Sequence, residues 1–539
     1  MASARRGWKS CVPWSASDAA GFDGSPLAHL DVRLVPAAVT GWTVTAAGIV
    51  WPVGRALACC CVALVAASCG LLCAARSHAR LRAIGAGVLA IGVVGAGFGL
   101  AIALRTDAVA RHPVAAAFGT AAPVTVTPAE SPRPVGRGSL MFRATLQRVR
   151  ADEMSGRVVV FARTSDFGGV MAGQPVRFTA RINRPARHDL TVAVLNATGR
   201  PTLGEAGAVQ RAAHAVRTRF SATARDALPA EQAAMLPALV LGDTAAVSAE
   251  TGRDLRAAGM THLTAVSGAN VTIVCAAVLF SARLIGRRAA VALAAVALVA
   301  FVIVVQPTPS VLRAAMMGAI ALAGILSSRR RQAIPALSAA VLILLTVAPH
   351  LAVDVGFALS VLATAALVVI APVWSRRLSK RGCPKPLADA LAVACAAHAV
   401  TAPLVAGISG RLSLLAVVAN LAVAPAIAPI TVLGSAAAVL CMLWPAGAEL
   451  LIRFAGPELW WVLRVARWVA GVPAATVPVA SGAAGVLTVG GATVVVVLLA
   501  RLLWRWRGFR VAVGLAGAAV GVWVAAWSLS GLMAIATAA

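Results

Sequence analysis

The stretch Gly259–Val274, G-M-T-H-L-T-A-V-S-G-A-N-V-T-I-V, opens the long apolar half of a 539-residue chain and sets polar side chains among Leu, Val and Ile. On a helix, Thr264, Ser267 and Asn270 share one broad face because they recur every three residues. Ser267-Gly268 offers a break in such a helix. In a bilayer, polar groups and loosened backbone are costly unless they face protein or water. Two readings follow. One is ordinary helix packing through small and polar residues; the other is a broken helix lining an aqueous path.

Outward from this stretch, apolar runs of about 20 residues recur, the length that crosses a hydrocarbon core. The chain is 60% hydrophobic with mean hydropathy +0.86. It reads as a mainly α, polytopic helical membrane protein of roughly 11–13 spans. The net charge is +29, carried by Arg, with Lys only at Lys9, Lys380 and Lys385. Much of that charge belongs to loops on the cytoplasmic side. Basic clusters at 76–82, 283–288, 327–332, 375–381 and 501–507 fall where inside loops are needed. The loops at 306–309 and 348–350 lack Arg, which places 105–260 outside.

The domains expected are a cytoplasmic tail over 1–33, three spans over 34–104 and a Pro/Ala/Thr-rich linker over 105–136. Residues 137–203 hold short alternating runs separated by turn signals, which predicts a small external β-barrel of OB type. A basic amphipathic helix and connector follow over 204–250, with Arg211, His214, Arg217 and Arg225 at helical spacing; such a helix suits a membrane surface. A transmembrane domain over 251–475 and C-terminal spans over 476–539 complete the chain. Within it, 449–471 is rich in Trp and Arg and reads as an interfacial helix.

The segment 137–203 holds eleven Arg against four acids, a net charge of +7. On an outside domain that points to a polyanion. The binding candidates are Arg143, Arg148, Arg150, Arg157, Arg163, Arg177, Arg181, Arg184 and Arg187. Phe142, Phe161, Phe167 and Phe178 either stack on bases or fill the barrel core. At membrane depth, Arg313, Asp354 and Asn420 are expensive against lipid. Arg313 and Asp354 are candidates to pair, because buried charges are normally paired.

Several chemistries find no support. No Gly-Lys dipeptide exists for a Walker A loop, and no H-E-x-x-H or G-x-S-x-G occurs. No metal, cofactor or catalytic residue is expected. Ser267 with His262 would lie about 140° apart on a helix, which rules out a shared face for hydrolysis. Cys59, Cys60, Cys61, Cys69 and Cys73 sit in one apolar run and read as small buried residues.

The runs 259–271, P-S-V-L-R-A-A-M-M at 309–317, D-V-G-F-A-L-S-V-L-A-T at 354–364 and the Asn-containing run at 411–425 resemble, in order and spacing, the competence domain of ComEC-type DNA-uptake channels. The resemblance covers about 137–475. It implies a multi-pass protein of the bacterial inner membrane that passes one strand of transforming DNA inward. It also implies channel positions at His262, Ser267, Gly268, Asn270, Arg313, Asp354, Phe357, Ser360 and Asn420. Partners implied are single-stranded DNA, membrane lipids, a separate nuclease, an external DNA receptor and a cytosolic motor or strand-binding protein. Many members of that family end in a metallo-β-lactamase-like domain. No such domain is expected in this chain, which is therefore not expected to be an enzyme. The competing reading is a secondary transporter or lipid-handling protein whose basic domain binds anionic headgroups.

Overall fold

The computed structural model describes residues 31–51, 53–74, 79–136, 138–264, 266–326 and 333–503. Most of the expected tail, Arg137, the basic cluster at 327–332 and the last expected span lie outside those residues, as do parts of the clusters at 76–82 and 501–507. The chain divides into two compact units, residues 1–398 with 413–476, and residues 399–412 with 477–539.

Three apolar helices come first: α1 (Val35–Val50), α2 (Gly54–Ala74) and α3 (Ala79–Ala110). Small residues set how closely α2 and α3 approach. A Cβ added at Gly95 would fall 2.6 Å from Cys61 Sγ, and one at Gly99 would fall 3.1 Å from Ala58. The cysteine run in α2 is mostly outward-facing: Cys59, Cys60, Cys69 and Cys73 are exposed. The expectation of buried cysteines is corrected, because the inward stripe of α2 is narrow and Cys61 is the one directed at α3.

A closed barrel follows. Its strands are β1 (Ala121–Pro128), β2 (Arg133–Pro134), β3 (Ser139–Val149), β4 (Asp152–Arg163), β5 (Val176–Asn183) and β6 (Thr191–Leu203), with a single helical turn α4 (Thr164–Phe167) after β4. Strand β1 pairs with both β3 and β5, β3 with β4, β4 with β6 in parallel, and β6 with β5. Leaving out two-residue β2, the strands run 1-2-3-5-4-1 around the barrel, which is OB-like. Strict alternation sets the register: on β5, Val176, Phe178, Ala180 and Ile182 point in while Arg177 and Arg181 point out. Strand β1 lies inside the stretch read as a linker, whose Pro-Ala-Thr composition hid an alternating A-P-V-T-V-T-P.

The remaining helices are α5 (Ala208–Ala227), α6 (Ala230–Leu241), α7 (Ala249–Ala257), α8 (Gly268–Ser281), α9 (Arg287–Val305), α10 (Pro309–Leu326), α11 (Ala333–Val347), α12 (Val355–Val369), α13 (Ala371–Ser379), α14 (Lys385–Ser409), α15 (Ala416–Leu443), α16 (Pro445–Phe454), α17 (Gly456–Gly471) and α18 (Gly482–Leu503). Among the described residues, seven helices are long and apolar enough to cross a membrane, and five further apolar helices are shorter. The largest core joins α5, α6, α7, α15, α16 and α17 around Phe220, Met235, Leu255 and Leu459.

Helix α5 packs on the bundle through Arg217, Phe220 and Ala224, while Arg211, His214 and Arg225 stay exposed. Arg217 therefore departs from the basic face expected of it. Its guanidinium donates to the carbonyls of Leu241 (3.4 Å) and Val304 (3.1 Å) and pairs with Asp243 at 3.7 Å. Those carbonyls end α6 and α9, where a cation is favoured. In the second unit, Ala402 and Ala406 of α14 pack on Val489 of α18.

The glycine stripe gives a test. Gly95→Leu overpacks the α2–α3 contact and is expected to cost about 1–3 kcal/mol. Gly97→Leu, where nothing lies within 4 Å of the added Cβ, is expected to be silent. The fraction of purified protein surviving a heat ramp in detergent separates the two.

Candidate functional site

The stretch Gly259–Val274 does not form one helix. Helix α7 stops before Gly259, whose φ of +68° needs glycine there. A 3₁₀ turn at Thr261–Leu263 follows, and α8 starts at Gly268 with Ser267 as its N-cap. At the amino end of α8, Ser267 and Gly268 are half-buried and Asn270 is buried. His262 sits on the exposed turn, on a different element from Ser267.

Two sets of polar contacts meet at that end. In the first, Asn270 is buried, donating through Nδ2 to the Leu239 carbonyl at 2.9 Å. That carbonyl lies in the last turn of α6, where helical donors run out. Asn270 Oδ1 accepts from the Ser267 hydroxyl at 3.1 Å, and the Thr431 hydroxyl, which donates to the Ile427 carbonyl at 2.8 Å, lies 3.4 Å from it. This one amide bonds α8 to α6 and touches α15. A cavity of ≈ 20 Å³ beside Ser267, Asn270 and Thr431 has room for about one water.

In the second set, Arg313 of α10 is only 6% exposed. Its Nε donates to Ser360 Oγ of α12 at 2.7 Å, and Nη1 lies 3.2 Å from Met317 Sδ. The Ser310 and Ser360 hydroxyls are 3.2 Å apart. A Cβ on Gly268 would fall 2.8 Å from Arg313 Nη2, so glycine makes the room that the guanidinium occupies. Arg313 does not pair with Asp354, the partnership entertained from sequence.

Asp354 instead caps α12. Its Oδ1 accepts from the Phe357 N–H at 2.9 Å, and its Oδ2 lies 3.8 Å from Arg143 Nη2 on β3 of the barrel. Phe357 is fully buried and tilts against Trp42 of α1 at 5.4 Å. Gln306, between α9 and α10, exchanges two hydrogen bonds with Ser131 of the β1–β2 loop, at 2.6 and 3.0 Å. Asn420 donates to the Ala416 carbonyl of its own helix at 2.8 Å and, among the described residues, makes no hydrogen bond to the cluster. Sequence reasoning missed Ser310, Thr431, Ser131 and Gln306, all of which owe their role to distant partners with no local signature.

On the barrel the arginines divide by surroundings. Arg143 and Arg157 face the bundle. Arg157 Nη1 is buried without a hydrogen-bond partner. Burial, then the neighbouring Arg143, holds its guanidinium below the usual range. Arg148 pairs with Glu153 at 2.6 Å, and Arg184 lies over the Phe118 ring. Arg150, Arg163, Arg177, Arg181 and Arg187 are exposed, with no ion pair among the described residues. Phe142, Phe167 and Phe178 belong to the core, which leaves Phe161, 38% exposed, as the ring of that set open to a stacking partner.

The fold and this geometry define a multi-pass membrane protein with an OB-type barrel docked on its helical bundle. Residues 239–507 match the model of a family described as competence protein, and the chain belongs to that family. ComE operon protein 3 of Bacillus subtilis (strain 168) is similar to it, 30% identical over 151 residues. The match spans 28% of this chain and 20% of that relative. No solved structure matches significantly.

His350, in the turn before α12, supplies a pH test. Burial, then the Arg157 and Arg143 guanidiniums, push its pKa from 6.5 down to about 3. The unfolded chain takes up a proton below pH 6.5 that the folded chain refuses, so this contribution to stability is present above 6.5 and lost as pH falls toward 3. The melting midpoint of wild type is expected to drop between pH 6.5 and 4 more steeply than that of His350→Gln.

Proposed function

We propose that this chain is a channel that carries one strand of transforming DNA through the cell membrane. The observation that carries the reading is the meeting, at the amino end of α8, of polar residues from separated motifs in a bundle of the competence family. Ser267 and Asn270 come from the first motif, Arg313 from the second and Ser360 from the third. Asn270 and Arg313 are buried in protein there, where polar groups in a membrane belong if they serve a path.

The barrel supplies collection. Exposed Arg163, Arg177, Arg181 and Arg187, with the Phe161 ring, offer phosphate attraction and a stacking face. Arg143 and Arg157 have a different task in this scheme: they hold the barrel to the bundle through Asp354 and its neighbours. Conduction then needs only binding groups, because nothing covalent happens to the strand. A separate nuclease makes the single strand, an external receptor delivers it, and a cytosolic motor or strand-binding protein draws it in.

Labelled duplex DNA supplied to a deletion strain tests this directly. Label is expected to stop outside the membrane in the deletion and to reach the cytosol when wild type is restored, but not with Arg313→Ala. Undiminished cytosolic label in the deletion would end the reading. For the barrel, Arg177→Gln with Arg181→Gln is expected to weaken binding of the purified full chain to oligothymidine. The salt dependence should lose about 0.7 in log–log slope per phosphate contact removed. Arg148→Gln, already paired with Glu153, should change it less.

A further inference from the structure

Gln306 joins α9 to α10, two helices that are each long and apolar enough to cross a membrane. Its backbone stands at φ 75° and ψ 149°, a region nearly closed to any residue with a Cβ. The sequence accounts for half of this. Pro307 follows, and a proline ring pushes the residue before it to an extended ψ. The proline does not ask for a positive φ; about −120° is the ordinary choice there. The side chain supplies the missing reason. Gln306 Nε2 donates to Ser131 Oγ at 2.6 Å, and the Ser131 N–H donates to Gln306 Oε1 at 3.0 Å. Ser131 lies in a loop that is itself tied to β3. The Ala129 N–H donates to the Arg143 carbonyl at 2.8 Å, Glu130 Oε1 accepts from the Arg143 N–H at 3.3 Å, and Glu130 pairs with Arg133 at 3.2 Å. A stiff loop of the barrel thus grips both ends of one amide.

Few other torsions of the junction can absorb a change. Pro307 and Pro309 have φ locked by their rings. The Thr308 N–H donates to the Gln306 carbonyl at 2.9 Å, and the Thr308 carbonyl accepts from the Leu312 N–H at 2.9 Å. The φ of Gln306 therefore sets the direction in which α10 leaves α9. Arg313 stands one turn into α10, where its Nε reaches Ser360 of α12. We infer that Gln306 is a positioning residue for Arg313. Gripped by the barrel at Ser131, it holds the junction at a positive φ and aims α10 so that Arg313 meets Ser360. Without the grip the junction relaxes to a negative φ, and α10 departs at another angle. That this aim serves a strand path rests on the function proposed above; the torsional link does not.

Amide hydrogen exchange of the full chain, purified in a maltoside detergent, tests the link. It is read on residues 310–317 and 357–364, with 459–469 of α17 as the control. Gln306→Ala and Gln306→Gly both lose the two bonds to Ser131, but only glycine takes a positive φ freely. Gln306→Ala is expected to speed exchange in the two test segments about tenfold, with Gln306→Gly close to wild type and the control unmoved. Glycine otherwise loosens a junction, so better protection in Gln306→Gly than in Gln306→Ala has its source in the torsion. Ser131→Ala removes one of the two bonds and leaves Gln306 in place. It is expected to act partway in the same direction, and it serves as the test if Gln306→Ala fails to fold. Equal exchange in the two Gln306 variants, or wild-type exchange in Ser131→Ala, overturns the assignment. The labelled-DNA assay is run on the same variants. Uptake lost in Gln306→Ala and kept in Gln306→Gly supports the placement of Arg313 as part of a strand path. The expected exchange pattern with uptake unchanged in every variant keeps the torsional link and rejects that use of it.

Discussion

The amino end of α8 packs against neighbouring helices, with Asn270 buried and Ser267 and Gly268 half-buried, and the polar contacts of the bundle gather at that end. A helix that starts in water leaves its first N–H groups to solvent. One that starts among packed helices must find partners or leave the groups exposed to a medium that cannot solvate them. Here the surrounding helices come to that end. Asn270 draws in α6 and α15 through one amide, and Gly268 admits Arg313 from α10, which in turn holds Ser360 of α12. Truncating Asn270 removes the bond made to the Leu239 carbonyl and the acceptor of the Ser267 hydroxyl.

The same economy explains why small residues matter more here than large ones. Gly259 permits the left-handed turn that ends α7, and a Cβ there would fall 2.5 Å from that of Ala416. Gly268 gives space to a guanidinium. Gly434 in α15 lets α6 approach closely. Between helices of a membrane protein, close approach through small residues replaces the hydrophobic drive that packs a soluble core. The barrel is the opposite case. Its interior is closed by Phe142, Leu146, Phe167, Ile182 and Leu195, fully buried as in a water-soluble domain.

Much of this was legible in the chain. The apolar runs marked the helices, alternation marked four of the barrel strands, and the order of the polar motifs marked the family. What escaped did so for physical reasons. Strand β1 lies in a Pro-rich stretch whose alternation is short, and its pairing with β3 and β5 is non-local. Arg313 and Asp354 looked like natural partners as the charged residues at membrane depth. The structure gives Asp354 to Arg143 on another domain, because the carboxylate caps α12 at its end while the guanidinium sits a full turn inside α10. The inward turn of Arg217 was hidden because its helix has basic residues on more than one side. The arginines of the barrel could be counted from sequence, but which of them are already engaged could not.

One feature of the docking has a mechanical meaning. The barrel touches the bundle through Gln306, three residues before α10, and through Asp354, the cap of α12. These are the two helices that share the Arg313–Ser360 bond. Both are therefore tethered to the same rigid body at the same end. If the barrel rocks, α10 and α12 are carried as a pair and the bond between them is preserved. Between α10 and the amino end of α8, by contrast, the contact is a guanidinium against a glycine, with no hydrogen bond between the two helices among the described residues.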